Sequence, residues 1–476
     1  MLEAGVEAVQ VDGQQNRGTS DTAVAADAMP PKNEDVAVYV ESNRQAARSI
    51  EDDTASTAFD ATMEDGDLVV TPRVNSLKVD PEEAKSRLSI SVEKPTLVDW
   101  FAVLAMSIVM GFIFGFAFAK SRVFEPMVIR GQFLFQNNIM MKMFLAAVAT
   151  SQILFIIINR TPYKRRFERA RRKRETGRGI RTTMLGAFIL GMGLAVSAAC
   201  PGMVLAQVGA GVENSGYTLL GGVLGALLFQ LTDPLIKPIT DRFGGQKLTI
   251  EYVDDYLGLS YTKTAGLFAF LITLTVILLE VFIPWKQDIY YQLSPNCSAT
   301  AFWNCYAWPP FIGGVFVGLL QLPVFFVMGS VLGSSTSYVV ACAGWLHLLP
   351  EDFRHPFTYA KRFMYPKLDT HWQLMFVMFS ILGAYLTELR SGMVGTAQGL
   401  SIGYSLVGGL LLVFGARMAG GCTSGHGVSG MALLSIHSMA AVAAMFAGAI
   451  GTGLVLEFLV STDSNPYYIA PNPMLN

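Results

Sequence analysis

The sequence predicts an all-α integral membrane protein with about nine transmembrane helices, arranged as an inverted repeat (4+1+4) with short re-entrant half-helices. Composition is the first observation. Of 476 residues, 52% are hydrophobic and only 15% charged, and the mean hydropathy is +0.41, well above that of a water-soluble domain of this size. Second, the apolar residues gather into runs of roughly 17 to 23, the length that crosses about 30 Å of hydrocarbon at 1.5 Å per residue. A soluble core would scatter them at amphipathic spacing. Third, two stretches centred on cysteines resemble each other in the two halves of the chain. The net charge of −2 identifies no partner, because charge is segregated along the chain rather than balanced locally.

Residues 1–95 are acidic and rich in Asp, Glu, Ala, Ser and Thr, without a long apolar run. Such a segment cannot bury enough surface to offset chain entropy, so a disordered acidic tail is expected. It lacks the basic start and apolar core of a secretory signal and is too acidic for a transit peptide, which leaves the first span, near Trp100, as the signal anchor. The predicted spans are about 98–119, 139–158, 183–199, 217–236, 264–284, 311–328, 371–389, 399–418 and 437–459. They divide the chain into a first membrane repeat at 96–240, a linker span with its loops at 241–305, a second repeat at 306–460 and a short tail at 461–476.

Orientation follows from the loop RTPYKRRFERARRKRETGRGIR at 160–181, which the positive-inside rule places in the cytosol, facing lipid headgroups. A nucleic-acid partner does not suit that setting. Counting spans outward makes the acidic tail cytosolic, together with 350–370 and its Arg354, Lys361, Arg362 and Lys367. Loop 285–310 then lies outside, and the plasma membrane is the expected location. This loop holds Cys297 and Cys305, a possible disulfide in an oxidising compartment, and Asn296-Cys297-Ser298 is a glycosylation sequon. Thiol chemistry at the entrance is the alternative use of these two cysteines.

Self-comparison aligns GFIFGFAF at 111–118 with GVFVGLLQ at 314–321, matching Gly111 to Gly314 and Gly115 to Gly318. It also aligns GLAVSAACPGMVLAQVGAG at 193–211 with GARMAGGCTSGHGVSGMAL at 415–433, matching Gly193 to Gly415 and Cys200 to Cys422. Four spans lie on each side of 264–284, so equivalent segments run in opposite senses. Inverted repeats of this kind place a site near the midplane, where broken helices meet.

Pro201 and Gly202 stop a helix after Cys200, and Gly420, Gly421, Gly425 and Gly427 do the same around Cys422. Irregular backbone at membrane depth is tolerated only where protein buries it or it lines a cavity. A half-helix starting there directs backbone N–H groups and partial positive charge at the bilayer centre, which favours an anion. A thiol is a weak, soft donor, suited to another sulfur and unable to hold a hard oxyanion tightly. The candidate path residues are therefore Cys200, Cys422 and Cys342, with Ser197, Gln207, Thr423, Ser424 and His426 as neutral donors and Gly202 and Gly421 allowing close approach. The bland alternative is that these cysteines are small buried apolar residues and His426 a structural histidine. Cys422 and His426 are too few ligands for a metal site, and no cofactor motif is present. Arg417 lies near the second break, where facing lipid costs about 2.5–3.5 kcal/mol, so it is expected to pair or face a cavity. Glu388 and Arg390 are read as marking a span end, and Lys120, Arg122 and Arg130 as attracting anions or snorkelling to headgroups.

SAACPGM at 197–203 and ARMAGGCTSGHGVSG at 416–430 resemble the paired signatures of the YeeE/YedE family of sulfur-compound transporters, over about 98–460. The resemblance implies a transporter, not an enzyme, that takes up thiosulfate along an hourglass-shaped path lined by cysteines, with Cys200 and Cys422 as matching residues. The family's bacterial thiosulfate carriers also have a cysteine in the first break of the first half. Here that stretch is KSRVFEPMVIRGQ at 120–132, and Cys342 stands in the corresponding break of the second half. The expected partner is thus a thiosulfate-like anion. A membrane sulfurtransferase using a cysteine persulfide and a non-sulfur small-anion channel remain as alternatives, and the sequence leaves the oligomeric state open.

Overall fold

The computed structural model describes residues 58–64, 67–73, 97–173, 179–243, 251–289, 305–365 and 368–460. The chain divides into two compact units, Met1–Thr96 and Leu97–Asn476. In the first, strands β1 (Ala58–Glu64) and β2 (Asp67–Arg73) pair antiparallel, in register from Ala58↔Arg73 to Glu64↔Asp67. This hairpin departs from the structureless tail expected there. Its signal is local: Asp65-Gly66 separates two stretches containing β-formers, and Asp-Gly is a favoured hairpin dipeptide. The rest of 1–95 lies outside the described residues, as do Cys297 and the tail at 461–476.

Apart from turns, loops and one bridge between Tyr252 and Ser435, the described residues of the second unit are helical, and nine of the described helices are long and apolar enough to cross a membrane. They are α1 (Val98–Lys120), α2 (Ile139–Asn159), α3 (Ile180–Ser197), α4 (Ser215–Thr240), α5 (Tyr261–Phe282), α6 (Pro310–Met328), α7 (His371–Ser391), α8 (Ile402–Ala419) and α9 (Ile436–Phe458). Each falls on a predicted span, because a run of some 20 apolar residues leaves a helix as the way to satisfy the backbone in hydrocarbon.

Helices α3 and α8 pack on each other at the centre, α9 packs on α3, α4 on α8, α7 on α1 and α6 on α2. Lipid offers no hydrophobic drive for such contacts, so small residues that allow backbones to approach provide the dispersion gain. A Cβ on Gly193 would lie 2.3 Å from the Leu412 backbone N, and one on Gly415 the same distance from that of Leu190. Gly186 meets Ala419 and Gly408 meets Ser197 in the same way, at 2.3 and 2.4 Å. These contacts are reciprocal, related by one constant offset in sequence. Likewise Gly111 lies against Phe376 O of α7, and Gly314 against Met143 O of α2. Helix α5 stands apart, with only 17% of its apolar window buried. It leans on α2 and is tied to it by Lys142–Glu280 at 2.9 Å.

Four short buried elements interrupt the long helices: Pro126–Phe133, Met203–Gly209, Thr336–Cys342 and the π-type segment Thr423–Gly430. They follow left-handed turns. Helix α3 ends at Ala198 (φ 45°) and α8 at Gly420 (φ 80°), while Arg122 (φ 54°) follows α1 and Gly329 (φ 56°) follows α6.

Candidate functional site

The two central helices end beside each other, and their following residues form a buried polar cluster around two free thiols. Cys200 accepts a hydrogen bond from Met203 N–H at 3.4 Å, and the Thr423 side chain reaches it from the other break. Cys422 Sγ lies 3.2 Å from Ser424 Oγ and 3.7 Å from Ser334 Oγ, and it also bonds Ser335 and the Gly425 backbone. Both thiols interact electrostatically with Tyr338 and with each other. The cluster therefore presents sulfur, hydroxyl and backbone donors and no carboxylate, a set that can accept an anion without binding it irreversibly.

The loop between Gly329 and Ser335 completes this cluster and was missed in the sequence, where 329–370 carries no long apolar run. Gln321 holds it in place. Its Nε2 donates to Ser429 Oγ at 2.7 Å, its Oε1 accepts Leu332 N–H at 3.0 Å, and Ser429 Oγ donates to Leu332 O at 2.8 Å. Ser334 N–H then donates to Ser424 Oγ at 3.3 Å, and the Tyr338 hydroxyl donates to Pro201 O at 2.7 Å. The hydroxyl-dense run Ser334-Ser335-Thr336-Ser337-Tyr338 after Gly333 was the available signal.

Several of the residues expected along the path also brace the structure. Ser197 Oγ donates back to Gly193 O, one turn earlier in α3, at 2.7 Å. Gln207 Nε2 bridges Phe124 O and Ala198 O at 2.9 and 3.0 Å, joining two breaks. His426 is buried with Nδ1 3.1 Å from Ser438 Oγ and Nε2 3.2 Å from Ala419 O, linking the end of α8 to the start of α9. Gly421 makes room for that imidazole: a Cβ there would lie 2.8 Å from it. At Gly202 a Cβ would meet the Phe114 ring at 2.9 Å and approach Ser334 Oγ at 3.5 Å. Thr423 also borders a small cavity, otherwise apolar, between Phe133, Met140, Phe144, Leu194, Met445 and Phe446.

Cys342 sits one helical turn beyond Tyr338 and outside the central pair. Gln230 Nε2 donates to its Sγ at 2.9 Å, and Trp345 Nε1 donates to Gln230 Oε1 at 2.9 Å. Arg417 lies between the two places, buried, with Nη1 donating to Ser335 Oγ and Thr336 Oγ1, both at 3.3 Å. Its position matches the expectation that it pairs within the protein. Cys305 is disulfide-bonded, whereas Cys200, Cys342 and Cys422 are free.

The charges around the first break differ from their sequence reading. Arg122 neither snorkels nor stands open to anions: it pairs with Glu125 at 2.5 Å and with Glu388 at 2.7 Å, and all three side chains are buried. Glu388 is thus a buried ion-pair partner as well as a residue near the end of α7. Lys120 Nζ donates to Cys305 O at 2.7 Å, and Arg130 pairs with Glu457 at 2.8 Å.

A comparison with curated proteins gives no match. A family model described as "Sulphur transport" matches residues 120–451, more than half of the chain and inclusive of both cysteine breaks. The chain is a multi-pass integral membrane protein of the sulphur transport family, the YeeE/YedE family that its two cysteine motifs resemble.

Proposed function

We propose that the chain carries thiosulfate, or a closely related sulfur-containing anion, across the plasma membrane along a path whose centre is the Cys200–Cys422 cluster. Membership of the family supports a role in sulfur-compound transport. The observation that carries the finer reading is the meeting of two matching breaks, each with a buried thiol bonded by backbone and hydroxyl groups. The soft terminal sulfur of thiosulfate suits the thiols, and its oxygens suit Ser334, Ser335, Ser424 and Thr423. Cys342 and Arg417 extend the same route toward one side.

In this reading the membrane unit is an inverted repeat about α5, and the four short elements are re-entrant. The reciprocal glycine contacts between α3 and α8 support it, as do the left-handed turns at Ala198 and Gly420. The basic loop at 160–181 faces the cytosol, and loop 285–310 faces outside. A persulfide reaction at Cys422 would need a base, and both ring nitrogens of His426 are engaged with Ser438 and Ala419, which favours transport over sulfur transfer.

Uptake of labelled thiosulfate by cells producing the chain tests the selectivity. Unlabelled thiosulfate is expected to compete and sulfate at equal concentration to leave uptake largely intact. Equal competition by both anions would point to a conduit that sorts by charge and size alone.

A further inference from the structure

We propose that the Arg122–Glu125–Glu388 cluster is a proton-binding site coupled to the path, so that the chain moves its anion together with protons. This rests on the transport reading above. The three residues bring together the turn after α1 and the end of α7, and all are buried. With Lys120 beside them, their formal charges cancel. Among the described residues, Glu388 Oε2 accepts from Arg122 at 2.7 Å while its buried Oε1 has no hydrogen-bond partner. A proton can be added at that atom, whereas a sodium ion would need several oxygens around it and no guanidinium at its side.

The charged groups around Glu388 are Arg122 and Glu125 from the turn and Lys120 from α1; Arg390 from its own helix interacts with Lys120, and the Tyr306 ring lies 5.9 Å from the Arg122 guanidinium. Met203–Gly209, also packed on α7, has no titratable side chain. Tyr338 and Cys342 of the other neighbouring short helix are bonded to Pro201 and Gln230. In the step itself one proton leaves solution and forms an O–H bond at Glu388 Oε1. The cluster gains one positive charge, the Arg122–Glu388 contact becomes a bond to a neutral acid and weakens, and the proton leaves on the opposite side of the cycle.

A physical link joins this cluster to the thiols. Phe124, between Arg122 and Glu125, offers its carbonyl to Gln207, which also holds Ala198 O two residues before Cys200. Arg122 and Ala198 are both non-glycine residues held in the left-handed region, at φ 54° and 45°, conformations that persist only where the surroundings enforce them. Loosening Arg122 therefore moves the turn whose carbonyl braces the Cys200 break. The structure thus contains a contiguous element through which protonation biases the site. A cation taken up with a dianion also offsets the membrane potential that opposes its inward passage.

The test uses the full chain in vesicles loaded with a pH-sensitive dye, labelled thiosulfate outside, and the potential clamped at zero with valinomycin and equal potassium. An inward gradient of one pH unit is expected to support about tenfold accumulation for each proton carried, and the dye should report acidification only when thiosulfate is added. Glu388→Gln should lose gradient-driven accumulation and acidification while still exchanging labelled for unlabelled thiosulfate. Glu457→Gln, at the half-exposed partner of Arg130, should keep all three. Accumulation insensitive to the pH gradient, dependence on sodium instead, or unaltered coupling in Glu388→Gln would each overturn the proposal. If Glu388→Gln does not fold, the wild-type dye signal decides, and thiosulfate uptake without acidification refutes it. Absence of both uptake and exchange in the wild type would overturn the transport reading itself, and this inference with it.

Discussion

Ala198 and Gly420 occupy aligned positions of the two cysteine stretches but differ in residue type, and the difference has energetic consequences. Ala198 and Gly420 each close a central helix in the left-handed region, at φ 45° and 80°. Glycine adopts this conformation freely, whereas a Cβ costs about 1–2 kcal/mol. Gly420→Ala should therefore lower stability by about 1–2 kcal/mol, and Ala198→Gly should be neutral or stabilising by up to about 1 kcal/mol, since part of the relief is lost to unfolded-chain entropy. Thermal unfolding of the purified variants in detergent measures both. Opposite signs are the expected result. The same scale shows which pairings leave no trace in the sequence. Cysteines at Gly- and Pro-marked breaks are visible in one dimension, but the pairing of Arg122 with Glu388 spans 266 residues and has no local signature. His426 lies near Cys422 in sequence, and its ring also bonds Ser438, on the next long helix, a contact with no local signature.

Among the elements, the long helices were the most legible feature, because bilayer thickness sets their length and hydrocarbon forbids unpaired backbone. The short ones were less so. Met203–Gly209 and Thr423–Gly430 announced themselves through Pro201, Gly202 and the glycines around Cys422, whereas Thr336–Cys342 follows a serine-rich loop that resembles an ordinary connection. The hairpin at Ala58–Arg73 escaped a reading based on composition, which averages away a dipeptide signal. Packing of α3 on α8 depends on glycine at four places, and the reciprocity gives a paired expectation. Gly193→Leu and Gly415→Leu each force a side chain against backbone now 2.3 Å from the Cβ position. Each should destabilise by about 1–3 kcal/mol or more, to a similar extent in both. Gly403→Leu, with nothing within 4 Å of its Cβ position, should be silent in the same unfolding measurement.

Within the described membrane unit, α3 and α8 pack on each other, α9 packs on α3 and α4 on α8, α7 packs on α1 and α6 on α2, and α5 leans on α2. This arrangement buries Cys200 and Cys422 together, although they lie in different halves of the sequence. Their neighbours Ser334, Ser335 and Tyr338 come from a third segment. In the proposed function these two thiols form one station through which a sulfur anion passes. Initial-rate uptake of labelled thiosulfate into vesicles containing wild-type chain, Cys200→Ala or Cys422→Ala tests it most directly, with the amount of folded protein matched. Removing a donor to a charged species costs about 1.5–3 kcal/mol, so each variant should fall by about ten- to a hundredfold. Uptake in both variants equal to that of the wild type would contradict the account.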